Sequence, residues 1–241
     1  MLESKSMTPQ ETEKYLRELK EWLDAVKDNP AEEMADFFAK RVAGYDENHL
    51  THWPEEYAHI AGYLDDGLHN LLDIGCGTGL ELESIYRRFP DAAVTGIDLS
   101  GPMLQKLREK YPDKDIKLIE ADYFVCPFPE SCYDAALSFE TLHHFKPEKK
   151  QKIYEKLYRA LKPDGYYLEC DYIACCDEEE RLCMEGYEYR RQRNNIPEDV
   201  FVHIDIPLTL PHQRELLQNA GFRQVDVLYQ NGSTMIIKAV K

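Results

Sequence analysis

Residues 70–83 read NLLDIGCGTGLELE: a short apolar run, an aspartate, then three glycines at alternating positions. The reading of this stretch decides the fold. NLLDIG has the length and apolar character of a buried strand, and LELESIYRRF (80–89) has helical spacing. Glycines between a strand and a helix let the backbone approach a ligand closely and take positive φ. The helix that follows aims its free N–H groups at the same place. In an open α/β sheet, ligands bind there, beyond the carboxyl ends of the strands at the switch point. Asp73 sets this loop apart from a phosphate cradle. The dinucleotide fingerprint is G-x-G-x-x-G, whereas Gly75, Gly77 and Gly79 are spaced G-x-G-x-G. A pyrophosphate would also be repelled by the Asp73 carboxylate, which speaks against an NAD-dependent oxidoreductase.

Outward from the loop, strands and helices alternate. AAVTGID (92–98) reads as a strand and GPMLQKLREKY (101–111) as a helix. DIKLIEAD (115–122) and YDAALSF (133–139) are strands, PEKKQKIYEKLYRAL (147–161) a helix, and GYYLECDYI (165–173) a strand. The helix TLPHQRELLQNA (209–220) precedes the strands FRQVDVLYQ (222–230) and STMIIKAV (233–240). Such alternation implies right-handed crossovers and a mostly parallel sheet. Asn231-Gly232-Ser233 is a tight-turn signal, so the last two strands should form an antiparallel hairpin. Ahead of the loop, Thr8, Pro9 and Glu11 form a capping box with proline at the first helical position. Tyr15, Leu16, Leu19, Trp22, Leu23 and Val26 then make one apolar stripe. That stripe is expected to pack on the main domain, with a homodimer contact as the alternative. Residues 1–66 are read as an N-terminal helical extension or lid and 67–241 as the main domain, with 173–207 as a substrate-side insertion.

The chain has 241 residues, 43% of them hydrophobic, which suits one full α/β domain with additions. No stretch approaches ~20 apolar residues, so no membrane span is expected, and the N-terminus lacks a signal-peptide pattern. A cytoplasmic location follows as the default. The net charge of −16 would repel a phosphate backbone, which argues against a nucleic-acid partner and for a small-molecule substrate. Seven cysteines, an odd number, point to reduced thiols. The spacing of Cys170, Cys175, Cys176 and Cys183 matches no paired metal motif, so no metal is expected.

A ligand without phosphate and with an ammonium group suits Asp73. S-adenosylmethionine (SAM) is such a ligand; Asp73 would order the loop and favour its cationic amino-acid end. At this point residues 68–241 resemble the class I SAM-dependent methyltransferases. LLDIGCGTG resembles the first family motif, VTGIDLS the second, EADYFVCPFP the third, YDAALSFETLHHF the fourth, and LKPDGYYL the turn into the fifth strand. The resemblance implies a Rossmann-like sheet of seven strands in the order 3-2-1-4-5-7-6, the seventh antiparallel. Gly75, Cys76 and Gly77 would form the loop against SAM. Asp98, ending the second strand, would accept hydrogen bonds from both ribose hydroxyls, the logic of dinucleotide folds. Leu99 and Met103 would flank the adenine, Asp122 would meet its amino group, and the Tyr123 backbone N–H a ring nitrogen. Ser138 and Phe139 would lie under the methionine part, and Tyr45 resembles a tyrosine that some members fold over the cofactor.

Methyl transfer from a sulfonium is an in-line displacement in which the cofactor supplies the electronics and the protein supplies alignment. No dedicated catalytic side chain is therefore required. Where the acceptor is protonated, His143, His144 and His203 are candidate bases. Arg190, Arg191 and Arg193 could recognise an anionic substrate or form a solvated helical face. Two alternatives stay open beside methyl transfer: a SAM-binding protein without transferase activity, and an enzyme that modifies SAM itself.

Overall fold

Four helices precede the first strand: α1 (Pro9–Val26), α2 (Met34–Arg41), α3 (Tyr45–His52) and α4 (Pro54–His59). The computed structural model describes residues 2–241. The capping box of α1 forms as the sequence predicts: the Glu11 N–H donates to Thr8 Oγ1 at 3.3 Å and the Thr8 N–H to Glu11 at 2.8 Å. The main domain then runs β1 (Asn70–Ile74), α5 (Glu81–Arg88), β2 (Ala93–Asp98), α6 (Gly101–Lys110), β3 (Ile116–Glu120) and β4 (Tyr133–Phe139). It continues with α7 (Pro147–Ala160), β5 (Leu161–Tyr172), α8 (Asp177–Arg193), α9 (Leu210–Asn219), β6 (Gln224–Asn231) and β7 (Thr234–Val240).

The seven strands lie in the order β3-β2-β1-β4-β5-β7-β6. Strands β1 to β5 pair in parallel, and β7 runs antiparallel to both β5 and β6. The fold expectation holds in strand number, order and the final hairpin. The largest strand-start difference is at β5, which begins at Leu161 rather than Gly165, because Leu161 already pairs with Tyr133 ahead of a register shift. From β1 the chain proceeds to β2 on one side and later to β4 on the other. The crevice at their carboxyl ends is the switch point at which such sheets bind ligands.

Both faces of the sheet are covered, so its central strands are apolar on both sides. On one face Leu72, Ile74, Ala136 and Tyr167 pack with Tyr154 and Leu157 of α7 and Leu217 of α9. On the other, Leu71, Leu137 and Leu168 meet Leu82 and Ile85 of α5 and Leu107 of α6. Truncating one such leucine to alanine costs ~2–5 kcal/mol.

Helix α1 packs on the main domain, as its apolar stripe predicts. It docks on α8 rather than on the sheet: the Tyr15 hydroxyl donates at 2.5 Å to Glu179, a fully buried carboxylate that also accepts the Cys175 N–H at 2.6 Å. Of the stripe only Leu19 is buried, and Trp22 remains 53% exposed. The three arginines in the last turn of α8 all serve structural contacts. Arg191 is buried and donates to the carbonyls of Ile196, Pro197 and Val200; Arg190 donates to Pro30 O, and Arg193 pairs with Asp28. No helix among the described residues is long and apolar enough to cross a membrane.

Candidate cofactor and acceptor site

The chain turns sharply after β1. Gly75 and Gly79 sit at φ +66° and +69°, in the region that favours glycine. A Cβ on Gly75 would come within 2.4 Å of Thr141 Cγ2, and one on Gly79 within 2.9 Å of Leu107 Cγ. The loop is tied to β2 by the Gly75 N–H donating to Ile97 O at 2.7 Å. Asp98, at the end of β2, accepts the Gly77 N–H at 2.9 Å on one carboxylate oxygen and the Ser100 N–H at 2.8 Å on the other. Burial raises the pKa of this carboxyl and the backbone donors counter that rise. Each oxygen keeps lone-pair capacity for a further donor.

Beside the loop lies a cavity of about 570 Å³, counting its open mouth. The structure brings Tyr45, Gly75, Gly77 and Asp98 to its wall together with Leu99, Met103, Tyr123 and Phe139. Four expected residues are placed elsewhere. Asp73 is 1% exposed and lies beneath the loop, with Oδ2 unpartnered among the described residues. It shares a buried space with Glu81 at the start of α5. Burial first, then this mutual repulsion, holds the Asp73 carboxyl well above its usual range, while burial pushes Glu81 up to about 6. Asp73 therefore lies beneath the loop and is not on the cavity wall. The Cys76 side chain is likewise turned into the core, where it would contact a Cβ on Gly96 at 2.8 Å; only its backbone belongs to the loop. Asp122 accepts the Phe124 N–H at 2.7 Å, a turn within its own loop, and is not on the wall. Ser138 is also below the surface, bonded to the Tyr167 hydroxyl at 2.5 Å.

The wall includes the candidate base His144 and residues the sequence reading missed: Met34, Ala35 and Phe38 of α2, and Glu140 and Thr141 after β4. Glu140 is the most telling. Its backbone has φ +47°, a left-handed conformation that costs a non-glycine residue energy. Its side chain is nearly buried and Oε1 has no partner among the described residues. The acid was visible in SFETLHHF, but its backbone conformation was not.

The N-terminal helices close over this cavity. Tyr45 stands 3.6 Å, through its hydroxyl, from where a Gly77 Cβ would be, and stacks on His49 at 3.9 Å. The next residue, Asp46, anchors it. Asp46 accepts the Thr78 hydroxyl at 2.6 Å and pairs with Lys110 at 2.7 Å and Lys106 at 3.1 Å. Burial works to raise the Asp46 pKa, but these donors hold it below the usual value.

A second, wider chamber of about 1260 Å³, counting its open mouth, adjoins the first. The two share Phe38, Tyr45, Glu140 and His144. His143, His203, His49 and Asp205 complete its inner wall, and the exposed Lys40 and Arg41 stand at its rim. All three candidate histidines are thus gathered at one place. His143 Nδ1 hydrogen-bonds Asp171 Oδ1, and Asp171 Oδ2 accepts the Leu142 N–H at 2.8 Å. Burial opposes a charged His143, but Asp171 outweighs it and lifts the pKa to about 9. His49 and His203 are pushed down to about 4 and about 3, chiefly by burial, and are neutral. His203 lies flat on Phe37, ring centroids 3.6 Å apart.

Comparisons with known proteins agree with this geometry. Residues 71–165 match the family described as "Methyltransferase domain". The chain is 27% identical over 230 residues to a carboxy-S-adenosyl-L-methionine synthase of Chromohalobacter salexigens, covering 86% of this chain and 84% of that one. It is 33% identical over 124 residues to the phosphoethanolamine N-methyltransferase of Plasmodium falciparum, covering 51% and 46%. Human N-acetylserotonin methyltransferase, solved in complex with SAM, superposes with TM-score 0.62 at 19% identity over 95% of this chain and 66% of that one. Residues 71–165 thus match a methyltransferase domain, and the relatives support an enzyme that uses SAM.

Proposed function

We propose that this enzyme transfers the SAM methyl group to a small polar acceptor seated in the histidine-lined chamber. The observation that carries this reading is the wall common to both chambers, formed by Phe38, Tyr45, Glu140 and His144. A methyl group presented through it meets an acceptor held on the far side. The acceptor lone pair attacks the methyl carbon as the carbon–sulfur bond breaks, the electron pair returns to sulfur, and S-adenosylhomocysteine leaves. Alignment of the two reactants is worth ~7–11 kcal/mol of the barrier. The inner wall offers carboxylates and neutral imidazoles, which accept hydrogen bonds from an acceptor hydroxyl or amine. The lid of Tyr45 and Phe38 keeps water from the sulfonium.

A second reading comes from the full-length similarity to carboxy-SAM synthase: modification of SAM itself. The reacting end disfavours it, since Asp205 repels an incoming carboxylate and Arg41 is engaged by Glu32 at 3.1 Å. Mass spectrometry decides between the two. With SAM and a panel of small amines and alcohols, methyl transfer yields S-adenosylhomocysteine in equal amount to an acceptor heavier by one CH₂. Conversion of SAM to a heavier adduct without S-adenosylhomocysteine would overturn the first reading.

A further inference from the structure

The geometry points to a divalent-metal site inside the acceptor chamber, formed by His143, His144 and Asp205. One donor atom from each residue lies within 4.8 Å of the other two. Asp205 Oδ1 is 3.1 Å from His144 Nδ1 and 3.6 Å from His143 Nε2. Donors around a tetrahedral zinc ion at ~2.0–2.1 Å stand roughly 3.4 Å apart. The set is therefore within a few tenths of an ångström of ligand spacing along both edges.

Two independent observations distinguish it from an ordinary polar cluster. His144 is buried, its side chain 4% exposed, and Nδ1 makes no hydrogen bond among the described residues despite its closeness to Asp205. A buried imidazole nitrogen left this way is costly unless something binds it. His143, for its part, is held through Nδ1 by Asp171, itself fixed by the Leu142 N–H. A carboxylate behind an imidazole is the arrangement that orients metal-bound histidines, and it leaves Nε2 free to face Asp205. A second donor group, Glu140, His143 and Asp171, is also close, but it relies on the His143 nitrogen that Asp171 already occupies.

Two imidazoles and one carboxylate suit Zn²⁺ or a neighbouring first-row dication rather than Mg²⁺ or Ca²⁺. Three protein donors leave a coordination position open, and all three residues line the chamber. An acceptor carrying a hydroxyl or carboxylate oxygen is the class of molecule that fills it. The role in acceptor binding rests on the methyl-transfer reading; the site itself does not. The sequence offered no hint of it, because Asp205 is some 60 residues from the histidines and sits in a loop brought to them by the Ile206 N–H donating to His143 O at 2.8 Å.

The test is Co²⁺ titration of the chelator-treated full-length chain, read by visible absorption. One equivalent should bind with ligand-field bands and no thiolate charge-transfer band. Asp205→Asn, in a half-exposed loop residue, should weaken binding at least about tenfold, and Asp171→Asn about 10–100-fold as a positioning change. His59→Ala, a surface histidine beside Glu55, should leave it unchanged. Calorimetric binding of S-adenosylhomocysteine to each variant reports the cofactor half separately, so loss of the metal site and failure of the methyl-transfer reading are told apart. Absence of stoichiometric Co²⁺ binding, indifference to Asp205→Asn, or a charge-transfer band abolished by Cys175→Ser/Cys176→Ser would overturn the proposal.

Discussion

Individual residues at this site fall into those that meet a ligand and those that hold the ones that do. Glu140, on the wall of both chambers, is proposed for the first kind. A buried carboxyl with a free oxygen on the wall between two chambers suits the cationic end of SAM or a donor group of the acceptor. Burial, then Asp171, raises the Glu140 pKa. Glu140→Gln keeps the shape and removes the titratable carboxyl; steady-state kinetics should show kcat/KM at least about tenfold lower, and an unchanged value would remove Glu140 from the reaction. Asp73 and Glu81 belong to the second kind. Glu81 rises from 4.5 to about 6 on folding, mainly through burial. The folded chain then binds a proton that the unfolded chain releases between these values, so this group lowers stability as pH rises through that window. Glu81→Gln also supplies an amide donor for the unpartnered Asp73 oxygen. It should stabilise the protein by about 1–2 kcal/mol at pH 7 and by nothing near pH 4. Parallel thermal-unfolding curves across pH for the two proteins would contradict this.

Elements carry the next level of the account. The start of α3 is pinned to the glycine loop and to α6 by Asp46, through Thr78, Lys106 and Lys110. This holds Tyr45 in place over Gly77. Partly exposed pairs of this kind are worth up to about 1 kcal/mol each. Asp46→Ala should thus weaken S-adenosylhomocysteine binding roughly 5–30-fold and speed amide exchange over residues 34–52. The carboxylate pKa is lowered, so the latch is intact above its usual value and lost only as pH falls below it. Exchange unchanged in the variant would mean that packing alone holds the lid. The strands and helices themselves were legible in the sequence because each repeats its period cleanly. YDAALSF matches β4 residue for residue, and NGS marks the final hairpin. The docking partner of α1 was not legible. Its apolar stripe said that it packs on the main domain, but its partner α8 lies more than 150 residues away and is joined through Tyr15 and Glu179, which no local pattern connects.

At the scale of the whole molecule, sheet topology explains why residues of the cofactor crevice could be named ahead of the structure, whereas the acceptor chamber was legible only as segments and three candidate histidines. Asp98, Leu99, Met103, Tyr123 and Phe139 sit at or just beyond strand ends, so strand order alone brings them to one crevice. The acceptor chamber is assembled from α2, α3, the turn after β4 and the loop before α9. Its contacts depend on how long connections fold back, which sequence spacing does not encode. Asp73 shows the same limit at closer range, since position fixed its neighbourhood but not the face it points to.

The central claim is that the crevice beyond β1 and β4 binds SAM, with Asp98 holding the ribose. Calorimetric titration of the purified chain with SAM, S-adenosylhomocysteine and NAD tests it most directly. The account predicts micromolar binding of both sulfur ligands, no binding of NAD, and at least about 100-fold weaker binding in Asp98→Ala from the loss of two charge-assisted hydrogen bonds. Binding of NAD in place of the sulfur ligands, or full affinity in Asp98→Ala, would contradict it.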